Sequence, residues 1–160
     1  VQLETFFPYR LAVAAEAFSR NLAGVYARAF GLSRGEWRLL FLLQTGEPID
    51  SAELARRCTL DRVQVTRAAQ RLESKGLIVR KVAENDRRLR IYRCTPEGLR
   101  LFAAALPGVE ARARKILEAL SPEERAALEK GVSALIDSMS ADPGSEGADG
   151  GMPVLEEPAG

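Results

Sequence analysis

Two long apolar seams, one towards each end of the chain, constrain its fold more than any other feature. Phe7, Leu11, Ala14, Phe18, Leu22, Val25 and Ala29 recur at steps of mostly four and three, which marks one face of a helix over about residues 6–29. Leu99, Phe102, Leu106, Val109, Ala113, Ile116 and Leu120 repeat the pattern. Pro107-Gly108 falls within this second seam without shifting its phase, so one kinked helix is expected and not two. A further stripe of Leu128, Val132, Leu135 and Met139 follows the cap Ser121-Pro122-Glu123-Glu124. The segment between the seams is too short to cover both, so each needs a partner surface. The chain is 46% apolar and can bury a core of its own.

Between the seams the elements are short. Gly31 ends the first helix, and Ser33-Arg34-Gly35-Glu36 reads as a capping box opening a second through Trp37, Leu40, Phe41 and Leu43. Gly46-Glu47-Pro48 breaks that helix, and another starts at Ser51 with Leu54, Ala55 and Cys58 inward. After the tight link Thr59-Leu60-Asp61, in which Thr59 or Asp61 can cap, a helix runs to Lys75 and stops at Gly76. Its inward stripe is Val65, Ala68, Ala69 and Leu72. The opposite side carries Val63, Arg67, Gln70, Arg71 and Ser74, flanked by Gln64 and Thr66. Residues 77–82 and 89–94 are β-rich and are separated by a polar turn, so they read as a hairpin. Thr95-Pro96-Glu97 then restarts helix.

The formal charge of +1 conceals a segregated distribution. Residues 1–50 carry five basic and five acidic side chains, whereas residues 51–100 carry thirteen basic against six acidic, a net +7. Residues 101–160 carry five against eleven, a net −6. The basic middle coincides with two short helices, a tight turn and a hairpin, the layout of a winged helix-turn-helix. In that arrangement the second helix enters a DNA major groove and the hairpin reaches the adjacent minor groove or backbone. Arg67 and Arg71 suit guanine or phosphate, Gln70 or Gln64 suits adenine, and Val63 offers apolar contact to a thymine methyl. Arg87, Arg88 and Arg90 suit a narrow, electronegative minor groove. Asp61 and Asp86 can cap or turn the chain, or hold a wing arginine in a bidentate pair.

Other chemistries are disfavoured. The chain has no histidine, which removes every Ser/His/Asp or Cys/His arrangement and every zinc motif that needs imidazole. Cys58 and Cys94 are not spaced as a metal-binding pair, and no glycine-rich cofactor loop follows a strand. No enzyme, cofactor or metal is therefore expected. No apolar run is long enough to span a membrane and no signal peptide opens the chain, so a cytoplasmic location is expected. Residues 141–160 hold five Gly, three Pro and five acidic residues with no basic one, and are expected to form a disordered acidic tail.

Asp61-Arg62-Val63-Gln64-Val65-Thr66-Arg67, the run from Arg71 to Arg80 around Lys75-Gly76-Leu77, Asp86-Arg87-Arg88 and Thr95-Pro96-Glu97-Gly98 together resemble the MarR family of bacterial transcription regulators. The resemblance implies a mainly α fold with a small β-hairpin wing. Within it, residues 33–95 form the DNA-binding lobe, and residues 1–30 and 96–140 form helices of a homodimer interface. It implies a repressor on a pseudo-palindromic operator, released by a small phenolic or lipophilic effector. Carried over by position, Thr66, Arg67 and Arg71 lie on the recognition helix, Arg88 is the wing arginine and Asp61 its partner, while Gly76 and Gly98 are structural. Tyr9, Phe18, Trp37 and Phe41 are the candidates for an effector crevice. Relatives that sense peroxide carry the reactive cysteine in the first helix, where this sequence has none. The alternative is a winged-helix module that binds a protein partner and no DNA.

Overall fold

The computed structural model describes residues 2–82 and 90–140. The polar turn, with Asp86, Arg87 and Arg88, and the acidic segment 141–160 lie outside the described residues. The chain divides into two compact units, one reaching Ile116 and the other starting at Leu117.

The first unit opens with a 3-10 turn at Leu3–Thr5, then α1 (Phe7–Phe30), α2 (Arg34–Leu43), β1 (Ile49–Asp50), α3 (Ser51–Cys58), α4 (Arg62–Ser74), β2 (Ile78–Val82), β3 (Arg90–Cys94) and α5 (Pro96–Leu117). The second contains α6 (Pro122–Ser140). Local signals set most boundaries. Gly31 leaves α1 in the left-handed region at φ 64°, and N–H groups there return to Ala27 and Tyr26 carbonyls. Ser33 and Glu36 form the expected reciprocal capping box on α2. Asp61 and Gln64 form a second box on α4, and Gly76, at φ 69°, turns the chain out of α4 into β2. On α6, Ser121 and Glu124 bond each other's backbone N–H groups.

The hairpin is accompanied by a third strand. The antiparallel order is β1-β3-β2, with Ile49 opposite Tyr92 and Ile78 opposite Cys94. Asp50 both ends β1 and caps α3, its carboxylate accepting from the Ala52 and Glu53 N–H groups at 2.9 Å. Leu39, Leu40 and Leu43 of α2, Leu54 of α3 and Leu72 of α4 are fully buried, and Ile78 and Tyr92 close the core from the sheet. The first turn of α5 is pressed onto the start of β2. Thr95 donates its hydroxyl to the Gly76 carbonyl and accepts from the Gly98 N–H, while a Cβ at Gly98 would lie 2.1 Å from the Leu77 carbonyl oxygen.

The seams need one adjustment. α5 runs unbroken through Pro107 and buries Phe102, Ala105 and Val109. On α1 the buried residue is Tyr26, with Leu22 and Val25 half-buried, and Ala29 faces out. At about 100° per residue Tyr26 lies about 40° round the helix from Leu22, at one edge of the seam. The N-terminal half of α1 is exposed, Phe7 at 65%. On α6, Leu128, Val132, Ile136 and Met139 are exposed and Leu135 is half-buried.

Among the described residues Glu36 is the one buried charged side chain. One carboxylate oxygen accepts from the Ser33 N–H at 2.7 Å, and the other from the Lys75 ammonium at 2.5 Å. Lys75 also donates to the Gly31 carbonyl at 2.8 Å. Burial alone would raise the Glu36 pKa, but the bonds from Lys75 and Ser33 outweigh it and hold the carboxyl below its ordinary 4.5. A depressed carboxylate contributes stability above its unfolded pKa and loses it as pH falls through the folded one. Glu36→Gln is therefore expected to lower unfolding free energy by about 2–3 kcal/mol at pH 7. The difference from the parent should shrink as denaturant titrations are taken to pH values below 4.5. Gly98→Ala is expected to cost at least about 2 kcal/mol in the same titration, because the Cβ meets backbone that cannot swing aside.

Candidate nucleic-acid interface

The buried side of α4 is Val65, Ala68, Ala69 and Leu72, and this fixes what the other side presents. Val63, Gln64, Thr66, Arg67, Gln70 and Arg71 are all exposed. Arg62, Arg67 and Arg71 form no ion pair among the described residues. Nearby acids are otherwise engaged: Glu53 with Arg56 and Arg57, and Glu73 with Arg80 at 3.3 Å. Among the described residues, therefore, no carboxylate pairs with the outward arginines of α4.

Three of the side chains also have local tasks. Gln64 spends its carbonyl oxygen on the Asp61 N–H at 3.2 Å. The amide oxygen keeps a second lone pair and the amide NH2 its donors, so the cap adds a local task to Gln64, while Gln70 has no such bond to the α4 cap. Thr66 donates its hydroxyl to the Arg62 carbonyl at 2.8 Å and retains acceptor capacity. Asp61 accepts from the Gln64 N–H at 2.7 Å, the capping task. Its expected pairing with Arg88, and any role of Asp86 and Arg87, concern residues outside those described.

Arg90 is not at the tip of the hairpin. It opens β3 opposite Val82, is half-buried, and lines a cleft of about 300 Å³ with Arg62, Thr66, Arg80, Tyr92, Ser51 and Ala52 among others. Arg80 pairs with Tyr92 across the strands, and alternation puts Arg90 on the same face two residues away. Arg62 and Thr66 approach from α4, one helical turn apart. Sequence reasoning passed over Arg62 and Arg80. The signal that would have found them was this combination of strand register and helical spacing.

The helix-turn-helix turn is braced from α2. Thr59 adopts a left-handed conformation, φ 53°, uncommon for a residue other than glycine. The Arg38 guanidinium donates to its hydroxyl at 3.0 Å and to the Cys58 carbonyl at 3.4 Å. Beside it, Trp37 stacks between Tyr26 and Phe102, with centroids 4.9 and 5.1 Å away, and Phe41 meets Phe102 edge-on. Trp37, Arg38, Phe41, Leu42, Arg57, Cys58 and Thr59 line a cleft of about 320 Å³. Two of the four expected crevice aromatics thus meet. Tyr9 and Phe18 do not line this cleft, because at 1.5 Å per residue they lie about 26 and 12 Å along α1 from Tyr26.

Cys58 and Cys94 are buried, and burial raises both thiols above the ordinary 9.0, which disfavours the reactive thiolate. Among the described residues no cluster of acids and cysteines could hold a metal ion, and no helix is long and apolar enough to cross a membrane.

Comparison with known proteins agrees with this geometry. Residues 30–89 match the model of the MarR family. The chain is 31% identical over 95 residues to the HTH-type transcriptional regulator YdgJ of Bacillus subtilis, covering 59% of this chain and 58% of that protein. It spans 58–65% of the length of the first curated relatives it matches. Among solved structures it resembles NadR in complex with 4-hydroxyphenylacetate, at 27% identity and TM-score 0.66 over 82% of this chain and 92% of that one. It also shares the fold of Bordetella bronchiseptica BpsR, whose DNA binding is regulated by 6-hydroxynicotinic acid, at 19% identity and TM-score 0.74 over 89% and 98% of the two chains. Through residues 30–89, which match the MarR family model, the chain resembles that family, and the curated relatives it matches are HTH-type transcriptional regulators.

Proposed function

We propose that the protein is a sequence-specific double-stranded DNA-binding regulator, acting as a homodimeric repressor that a small aromatic acid releases from a pseudo-palindromic operator. The observation that carries the reading is the exposed face of α4. There Arg67, Gln70 and Arg71 project without carboxylate partners among the described residues, from a helix whose two ends are both fixed. Phosphate attraction from the basic segment supplies salt-dependent affinity, and the side chains of this face supply base readout. Arg62, Arg80 and Arg90 would hold backbone phosphate beside it.

Two further features support the rest of the reading. The exposed apolar residues of α1, Phe7 and Val13, and of α6, Val132, Ile136 and Met139, are large hydrophobic side chains of the kind a second copy would cover. The cleft beside Trp37 offers the exposed Phe41 ring for an aromatic contact, with Arg38 and Arg57 for a carboxylate. That chemistry matches the aromatic acids of NadR and BpsR.

Enrichment from randomised duplexes is expected to yield a two-half-site sequence with centres about one helical turn apart. The protein should bind it as a dimer, with affinity falling steeply and log-linearly as salt rises. Arg67→Ala and Arg71→Ala are each expected to weaken binding to the enriched duplex by about 10- to 100-fold. Failure to enrich any sequence, or salt-independent binding, would contradict the proposal. Trp37 is the only tryptophan, so titration with 4-hydroxyphenylacetate should change its fluorescence over the same concentrations that displace the duplex. Displacement without a fluorescence change would place the effector elsewhere.

A further inference from the structure

One ion pair joins the α1–α2 junction to the far end of α4. Lys75 caps the C-terminal end of α4, Gly31 ends α1, and Ser33 and Glu36 open α2. The Lys75 ammonium bridges the Gly31 carbonyl and the Glu36 carboxylate, 44 and 39 residues away in sequence. The second carboxylate oxygen returns to the Ser33 N–H. A buried ion pair is weak support for stability, since apolar residues of similar volume often do as well. What such a pair does provide is direction. Its bonds are made only at one mutual placement of the three segments.

The other end of α4 is held independently. Arg38, from the middle of α2, grips the Cys58–Thr59 turn, and Asp61 caps the first turn of α4. Released at Lys75, α4 could pivot about that fixed end. Its 13 residues span about 20 Å at 1.5 Å per residue, so a tilt of about 5° displaces the far end by roughly 1.7 Å. Hydrogen bonds to base edges tolerate a few tenths of an ångström. Attraction of a basic surface to phosphate has no such demand on pose.

We infer that Glu36 and Lys75 are positioning residues for sequence readout: the Lys75 bridge fixes the pitch of α4 against α1 and α2, and thereby separates specific from non-specific DNA binding. This rests on the DNA-binding reading above. Because α1 carries the apolar face assigned to the second copy, the same joint sets the spacing between the recognition helices of a dimer.

The test measures, for the full chain, affinity for the enriched duplex and for a random duplex in the same salt, at a temperature well below each variant's thermal midpoint. Lys75→Met removes the ammonium and keeps the stem. The Glu36→Met/Lys75→Met double variant removes the buried charge and restores packing, so it remains informative if the single variant is poorly folded. For both, the ratio of specific to random affinity should fall by about tenfold or more. Random-duplex affinity should change by less than about threefold, because the single variant loses one positive charge and the double variant has no net change in charge. A series of duplexes with half-site spacing altered by one base pair should show the parent's sharp preference broadened in the variants. A folded double variant with the parent's ratio and spacing preference would overturn the inference and leave the pair a stabilising contact only. If the parent itself discriminates no sequence, it is the DNA-binding reading that fails.

Discussion

A buried carboxylate must be paired, and the chain meets that demand at Glu36 by drawing together elements that sequence alone leaves unrelated. The oxygens accept from Ser33 and from Lys75, and Lys75 accounts in turn for the Gly31 carbonyl left at the end of α1. Without an intrahelical partner that carbonyl would need water or another donor. The Lys75 ammonium thus ties the end of α4 to the end of α1 and the start of α2. The pair tolerates burial because each bond is charge-assisted, and because Lys75 remains partly in contact with solvent.

Everything proposed for α4 depends on this. A recognition helix is useful only when its buried stripe and both ends are fixed, since the exposed side chains inherit their positions from the backbone. Val65, Ala68, Ala69 and Leu72 fix its rotation, the Asp61–Gln64 box and Arg38 fix its start, and Lys75 fixes its end. The electrostatics follow the same division. Glu53 and Glu73 are satisfied by neighbouring arginines, whereas Arg62, Arg67 and Arg71 face outward. A chain of net charge +1 therefore presents a locally basic surface where its shape is best defined.

Much of this was legible in the sequence because the signals are local. The capping box at Ser33, a cap at Thr59 or Asp61, the helix-ending glycines at 31 and 76, and the Thr95-Pro96 start are dictated by unpaired backbone groups within a few residues. The exposed face of α4 followed from its 3.6-residue period. What escaped was tertiary or too short to have a period. The Glu36–Lys75 pair joins helices 39 residues apart, and in sequence Glu36 had a sufficient explanation as a capping residue. β1 spans two residues and exists only because β3 is there to pair with it. The capping task of Gln64 was likewise not visible in the exposed-face pattern. Tyr26 lay at the edge of the α1 seam, and Arg62 and Arg80 reach Arg90 only through the packing of α4 beside the sheet and the register of β2 on β3.

The central claim is that the outward face of α4 is where the molecule meets DNA. Footprinting of arginines with a dicarbonyl reagent, read by mass spectrometry with and without a selected duplex, addresses it directly. Arg67 and Arg71 should be strongly protected by the duplex, while Arg20 on α1 and Arg125 on α6, both exposed in the free chain, react as before. Equal modification of Arg67 and Arg71 with and without bound DNA would contradict the account.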